Sequence, residues 1–164
     1  MSAERGVLLQ TSIKRRLLDA ARHLRALEQS AAGFGGDFDL AEFEQAWRSE
    51  APDELNRANA VQAGYENVVN ACIRIAQELC ELEGWTAPNL EPTSTEALKQ
   101  LQQHGVIASK THGALKEAYE RRSDVQHDYV GVAARGLHGA VELVLAHAPL
   151  LLQDVVAQLR QREP

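Results

Sequence analysis

The residues best suited to chemistry lie within nine positions, from Arg121 to Tyr129. Arg122, His127 and Tyr129 form an Arg-x4-His-x-Tyr pattern there. A histidine titrates near neutral pH and can therefore move a proton between reacting groups. An arginine presents a permanent, forked charge that stabilises the negative charge gathering on phosphate oxygens. The pattern therefore indicates acid–base chemistry at a phosphate.

The spacing of these residues limits how they can meet. Residues on an α-helix advance by about 100°, so Arg122 and His127 would point roughly 140° apart. They can act on one phosphate only if the helix breaks between them, or if two copies of the motif face each other across a two-fold axis. Arg122 and Tyr129 instead share one stripe, about 10 Å apart. The two-copy alternative predicts a homodimer with its site at the interface.

The motif and the sequence leading into it resemble those of HEPN-domain proteins, in particular the HepT-like toxins. Residues 95–107 predict a helix that ends in a Gly-Val-Ile joint, and residues 114–119 belong to a second helix that leads into the motif. The likeness extends from about residue 55 to the end of the chain. Residues 1–54 match only as generic helix.

This resemblance implies the toxin of a HEPN/MNT-type toxin–antitoxin pair, a metal-independent endoribonuclease with a composite site at a dimer interface. Arg122 would hold the phosphate of an RNA substrate, and His127 would move the proton. Tyr129 matches the tyrosine that an MNT nucleotidyltransferase antitoxin modifies with AMP. No cofactor and no DNA are implied. The residues expected to shape the pocket are Arg121, Ser123 and Asp124.

Apolar residues at helical spacing predict the elements that position the motif. A helix from about Asp53 to Glu83 carries a seam that steps by four and three residues. Its members are Val61, Tyr65, Val68, Cys72, Ile75, Leu79 and Leu82. The last helix carries a second seam, at Val130, Ala134, Leu137, Val141, Val144, Ala148, Leu151 and Val155. Extended backwards, this second register reaches His127 and Ser123.

Shorter signals place the other helices. We expect a first helix over about residues 7–31, a short helix behind a capping box at Asp39-x-x-Glu42, a helix capped by Thr93, and one from Ser109 into the motif. Pro88 and Pro92 exclude regular helix between residues 85 and 93. The sequence thus predicts an all-α, up-and-down bundle of four to five helices, HEPN-like by resemblance, as a single domain over residues 1–164.

The net charge of −6 argues against a broad surface for nucleic acid and favours a small, focused basic site. Basic residues do gather around the motif, at Lys110, Lys116, Arg121, Arg122 and Arg135. Asn70 is one of several asparagines that oppose helix propensity in the Asp53–Glu83 helix. Exposure to solvent, or hydrogen bonding inside the bundle or an interface, would each explain them.

Cys72 and Cys80 share one predicted helix without metal-ligand spacing, so we expect reduced, buried thiols and no metal site. The N-terminus lacks the layout of a signal peptide, and no apolar run approaches the ~18 residues that span a bilayer. These features predict a cytoplasmic protein that does not associate with a membrane.

Two other functions remain compatible with the sequence. Ser123 stands where the family commonly carries Asn or Asp, and together with the acidic balance it favours a catalytically inactive HEPN-like helical module. Such a module would bind RNA or a nucleotidyltransferase partner. A structural adaptor with no site is the third alternative, in which Arg122 and His127 contribute at most to stability.

Overall fold

A computed structural model describes residues 2–85, 93–127 and 132–162, with the backbone alone for residues 123–127 and 132. Over these ranges the chain forms six helices and no strand, which confirms the all-α prediction. The helices are α1 (Ala3–Ala32), α2 (Leu40–Arg48), α3 (Pro52–Glu83), α4 (Ser94–Gln103), α5 (Ser109–His127) and α6 (Val132–Arg160). The predictions for Pro88, Pro92, Tyr129 and Val130, and those for the side chains of Ser123, Asp124 and His127, lie outside the described residues.

The four long helices α1, α3, α5 and α6 build the bundle, with α3 in contact with every other helix. Helix α1 runs antiparallel to α3, because Arg5 at its start pairs with Glu81 near the end of α3. Helix α5 runs antiparallel to α6, because Thr111 near its start contacts His147 in the second half of α6. This is the predicted up-and-down arrangement, to which α2 and α4 add two short helices.

The two apolar seams form the core, as predicted. Every seam residue of α3 is at most 3% exposed, and the seam residues of α6 from Ala134 to Val155 are all 0% exposed. Helix α1 packs closely on α3 at Gly64, where a Cβ atom would lie 3.3 Å from Leu27. The steps of four and three therefore identified the buried face of both helices.

Local capping explains where several helices begin and end. The Asp39 side chain accepts a hydrogen bond from the Glu42 amide at 2.8 Å, as the predicted capping box requires. The Thr93 hydroxyl accepts from the Glu96 amide at 3.4 Å and starts α4. Helix α1 begins at Ala3 rather than at residue 7, because the Ser2 hydroxyl accepts a hydrogen bond from the Arg5 amide.

The backward extension of the α6 register was wrong for His127 and Ser123. Both residues belong to α5 (Ser109–His127), whereas α6 (Val132–Arg160) is another helix that runs in the opposite direction. A register counted along one helix cannot be carried into another helix that runs antiparallel to it. The motif arginines therefore lie on a helix packed beside the apolar α6 helix.

Helix α6 is long and apolar enough over Ala133–Arg160 to cross a membrane, because it contains an 18-residue window with a mean hydropathy of 1.5. The sequence prediction considered only unbroken apolar runs, whereas a mean hydropathy tolerates scattered polar residues. The core helix of a soluble protein also satisfies this criterion. The seam of α6 is buried in the bundle, and 33% of the apolar window is buried.

Candidate functional site

Helix α5 carries the motif without interruption as far as His127. Of the two ways in which Arg122 and His127 could meet, a break between them is therefore absent from the described backbone. On this continuous helix the two positions lie roughly 140° apart around the axis. One copy of α5 therefore presents position 122 and position 127 on different faces.

A buried hydrogen bond fixes α5 on α3 just before the motif. The Tyr65 hydroxyl of α3 donates to the carbonyl oxygen of Ala118 in α5. Both residues are fully buried. A phenol inside an apolar core needs such a partner, and here the partner is the backbone of the motif helix. The next residues of α5, from Tyr119 to Arg122, are thereby held at the edge of α3.

Arg122 is held from two sides. Its Nη1 donates to Oδ1 of Asn70 in α3 at 2.5 Å. Its guanidinium carbon lies 5.0 Å from the centre of the Tyr119 ring, which gives a cation–π contact. Among the side chains that the structure describes, no carboxylate pairs with Arg122. The charge of this arginine is therefore oriented but not neutralised within that part of the chain.

Arg121 has a different environment from Arg122. Its Nη2 donates to Oε1 of Glu117 at 2.5 Å, one turn earlier in α5. Its guanidinium also lies against α6 at Gly139, where a Cβ atom would come within 2.5 Å of Nη1. Arg121 is thus paired with an acid on the α6 side, and the structure separates the two motif arginines.

Most of the predicted basic cluster is neutralised in the same way. Lys116 lies 3.9 Å from Glu120, and Arg135 pairs with Glu44 at 3.3 Å. The focused basic site therefore does not consist of all the cations near the motif in sequence. A cation can belong to this basic site only if no acidic side chain pairs with it.

A cleft of about 400 Å³ opens beside Arg122 and Tyr119, between α3, α5 and the start of α4. Its α3 wall carries the polar side chains of Asn70, Arg74 and Gln77. Arg74 was missed at the sequence level. The spacing of four and three residues places Asn70, Arg74 and Gln77 on one stripe of α3, but it does not show that this stripe faces α5.

The thiols and the histidines offer no second centre in the described part of the chain. Burial raises the pKa of both Cys72 and Cys80 to about 12, which keeps the two thiols protonated and unreactive near neutral pH. Both cysteines are free and buried, as predicted. Within the described ranges, no group of three or more His, Cys, Asp and Glu side chains could hold a metal ion.

Comparison with known proteins places this geometry in a family context. Residues 21–145 match the family model described as "Ribonuclease HepT-like". Among curated proteins, none matches the sequence. The fold is similar to that of a tri-AMPylated HEPN toxin from Shewanella oneidensis in complex with MNT antitoxin, with a TM-score of 0.67 and 16% identity over 88% of this chain and 96% of that chain. A mutant of the toxin–antitoxin complex MntA–HpeT gives a TM-score of 0.62 and 20% identity over 92% of this chain and 98% of that chain.

Proposed function

We propose that this chain, which belongs to the HepT-like ribonuclease family, is a metal-independent endoribonuclease and the toxin of a toxin–antitoxin pair. One observation carries the proposal. Arg122, the first residue of the Arg-x4-His pattern, is oriented by Asn70 and Tyr119 at the edge of a cleft and has no carboxylate partner among the described side chains. An oriented, unneutralised guanidinium is suited to a phosphate in its transition state.

The reaction is transesterification within the RNA strand. His127 accepts the proton of a 2′-hydroxyl, whose oxygen attacks the adjacent phosphorus. The guanidinium of Arg122 stabilises the charge on the non-bridging oxygens. The bond to the 5′-oxygen breaks, a proton passes to that oxygen, and the products are a 2′,3′-cyclic phosphate and a free 5′-hydroxyl. No metal ion takes part in these steps.

The active site is composite. Because α5 is continuous from Arg122 to His127, the arginine of one protomer and the histidine of its partner meet across a two-fold axis. Ser123 and Asp124, which follow Arg122, shape the pocket. Arg121 supports the site indirectly, because its ion pair with Glu117 holds it toward α6.

Regulation acts through Tyr129. An MNT nucleotidyltransferase antitoxin transfers AMP to its hydroxyl, which adds a negatively charged group seven residues from Arg122. The added phosphate competes with RNA for that guanidinium. The proposal is supported by the two structures of similar fold, which were solved as complexes of a HEPN toxin with MNT antitoxin and of MntA with HpeT. The protein acts in the cytoplasm, where RNA and antitoxin are both present.

A second candidate is a HEPN-like module that binds RNA or a nucleotidyltransferase but does not cleave. The observation that favours it is the net charge of −6, which opposes RNA binding outside a focused site. Ser123, at a position where the family commonly carries Asn or Asp, favours it as well. The two candidates make different predictions for His127. In a nuclease this residue is required for the formation of cleavage products, whereas a binding module forms no cleavage products.

The test is cleavage of a labelled single-stranded RNA by the purified chain in EDTA. His127→Ala and Arg122→Ala are each compared with the parent, and His23→Ala serves as a control at an exposed histidine of α1. The proposal predicts products ending in 2′,3′-cyclic phosphate from the parent and the control only. Intact RNA in every sample, from protein whose mass shows no nucleotide on Tyr129, would instead support the binding module.

A further inference from the structure

The cleft beside Arg122 extends about two helical turns along α3. Asn70, Arg74 and Gln77 span about 10 Å of its wall, since each residue rises by about 1.5 Å. Tyr119 and Arg122 of α5 line the cleft opposite α3, and Ser94 at the start of α4 also lines it. The cleft therefore continues away from the motif arginine instead of ending at it.

Arg74 is the second positive charge in this cleft. Its side chain is exposed, and no ion pair joins it to a carboxylate among the described side chains. Other arginines nearby in the fold do have acidic partners. Arg16 pairs with Glu78 at 2.6 Å, and Arg121 pairs with Glu117 at 2.5 Å. Among the described side chains, the cleft thus holds two guanidiniums without a carboxylate partner, in a chain with a net negative charge.

The two arginines of the cleft are not equivalent. Asn70 takes one donor of Arg122, and Tyr119 covers one face of its guanidinium, so its orientation is set in advance. Among the described contacts, no hydrogen bond or ring contact orients the guanidinium of Arg74. This residue lies one helical turn beyond Asn70 on the same stripe of α3. An oriented charge suits the reacting phosphate, whereas an adaptable one suits a phosphate that is only bound.

We infer that this cleft binds the RNA nucleotide next to the scissile phosphate, with Arg74 on the phosphate of that nucleotide. The inference rests on the proposed function, in which Arg122 holds the scissile phosphate. The volume of about 400 Å³ lies within the range of a small-molecule site, which suits one unpaired nucleotide and is too small for a duplex. Polar side chains at Gln77 and Ser94 can contact the edge of its base, as is usual in recognition of single-stranded RNA.

It follows that the two arginines of the cleft have different roles in the reaction. Arg122 acts on the transition state, and Arg74 contributes to binding in the ground state and the transition state equally. Removing Arg74 therefore raises KM and leaves kcat near that of the parent. Removing Arg122 lowers kcat. Because the cleft is too small for a duplex, the substrate must be single-stranded at the cleaved position.

The experiment measures RNA binding separately from cleavage. Arg74→Ala is introduced into the His127→Ala background, and fluorescence anisotropy follows the binding of a short fluorescein-labelled single-stranded RNA over a series of salt concentrations. Arg160→Ala, at an exposed arginine in the last turn of α6, is the matched control for loss of one positive charge. Circular dichroism checks that each variant is folded.

The inference predicts that Arg74→Ala weakens RNA binding about tenfold relative to Arg160→Ala. The slope of log affinity against log salt falls by about 0.7, the value for one phosphate contact on a single strand. Equal affinities and slopes for the two variants would overturn it. AMP is titrated in parallel as a free nucleotide. Binding of AMP that depends on Arg74, with RNA binding unaffected by it, would overturn the assignment to RNA.

The outcome also separates this inference from the proposed function. If the parent cleaves RNA and Arg74→Ala matches Arg160→Ala in both KM and binding, the nuclease stands and the subsite is refuted. If no sample cleaves RNA while Arg74→Ala still weakens binding, the nuclease is refuted and the cleft remains an RNA-binding site.

Discussion

Asn70 of α3 accepts a hydrogen bond from the guanidinium of Arg122 in α5 at 2.5 Å, across 52 residues of sequence. This contact distinguishes Arg122 from the neighbouring Arg121, which pairs with Glu117 in its own helix. An amide oxygen orients a guanidinium without neutralising it, whereas a carboxylate does both. The contact therefore makes Asn70 a positioning residue for the proposed phosphate-binding charge.

Asn70→Ala is predicted to lower kcat about tenfold with little change in KM, because the guanidinium loses its orientation but keeps its charge. Asn67→Ala is the matched control, since Asn67 is exposed about one turn earlier in α3. Steady-state cleavage of a labelled RNA gives both constants. A rise in KM at constant kcat would show that Asn70 contributes to binding alone and would contradict the positioning role.

Tyr65→Phe is predicted to destabilise the fold by about 1 kcal/mol, because it removes the buried hydrogen bond to the Ala118 carbonyl while keeping the ring. Urea unfolding measures the change in the free energy of unfolding. Tyr119→Phe is the comparison, since this half-buried tyrosine lines the cleft, and its effect should stay within about 0.5 kcal/mol. Equal effects for the two variants would mean that the Tyr65 hydroxyl does not fix α5 on α3.

The sequence predicted what depends on local periodicity. Val61, Tyr65 and Leu79 were assigned to a buried seam from their spacing alone, and all are 0% exposed. The resemblance carried by the Arg-x4-His-x-Tyr motif is confirmed by the family match over residues 21–145. The spacing of apolar residues within one helix and a local motif can both be recognised in the sequence without knowledge of how the helices pack.

The sequence could not predict which cations form the basic site. Arg135 is close to the motif in sequence, but its partner Glu44 is 91 residues away, and only the packing of α2 near α6 brings them together. Arg74 is far from the motif in sequence and reaches it only because α3 packs against α5. Ion pairs between helices depend on crossing and register, which are set by tertiary packing.

The thiols give a pH prediction. The pKa of Cys72 is raised from 9.0 to about 12 by burial, so the native state keeps a proton that the unfolded state releases above about pH 9. The unfolded state then binds fewer protons, and the free energy of unfolding falls as pH rises from about 9 to about 12. Below about pH 9 the thiol contributes no pH dependence.

Urea unfolding of the parent and of Cys72→Ala across this alkaline range tests the assignment. The variant starts from a lower stability because it leaves a cavity, but its stability should fall less steeply with pH than that of the parent. Parallel curves for the two proteins would show that Cys72 ionises normally in the folded state.

Gly139→Ala is predicted to raise the free energy of unfolding by about 0.5 kcal/mol. Alanine favours helix over glycine by about 1 kcal/mol, and the new Cβ displaces only the flexible end of the Arg121 side chain. Gly136→Ala, where nothing lies within 4 Å, is the control and should show the full gain. If Gly139→Ala destabilises the protein by more than about 1 kcal/mol, Arg121 is a rigid part of the α5–α6 contact.

The composite site is the central claim, and mixing two inactive variants tests it most directly. Arg122→Ala and His127→Ala are each purified, unfolded together and refolded, so that half of the dimers contain one copy of each. In such a dimer one site has lost both residues and the other retains Arg122 and His127 from different protomers. RNA cleavage in the mixture should therefore recover to about one quarter of the parent activity. No recovery, from a mixture shown to contain the mixed dimer, would mean that the two residues act within one chain and would contradict the account.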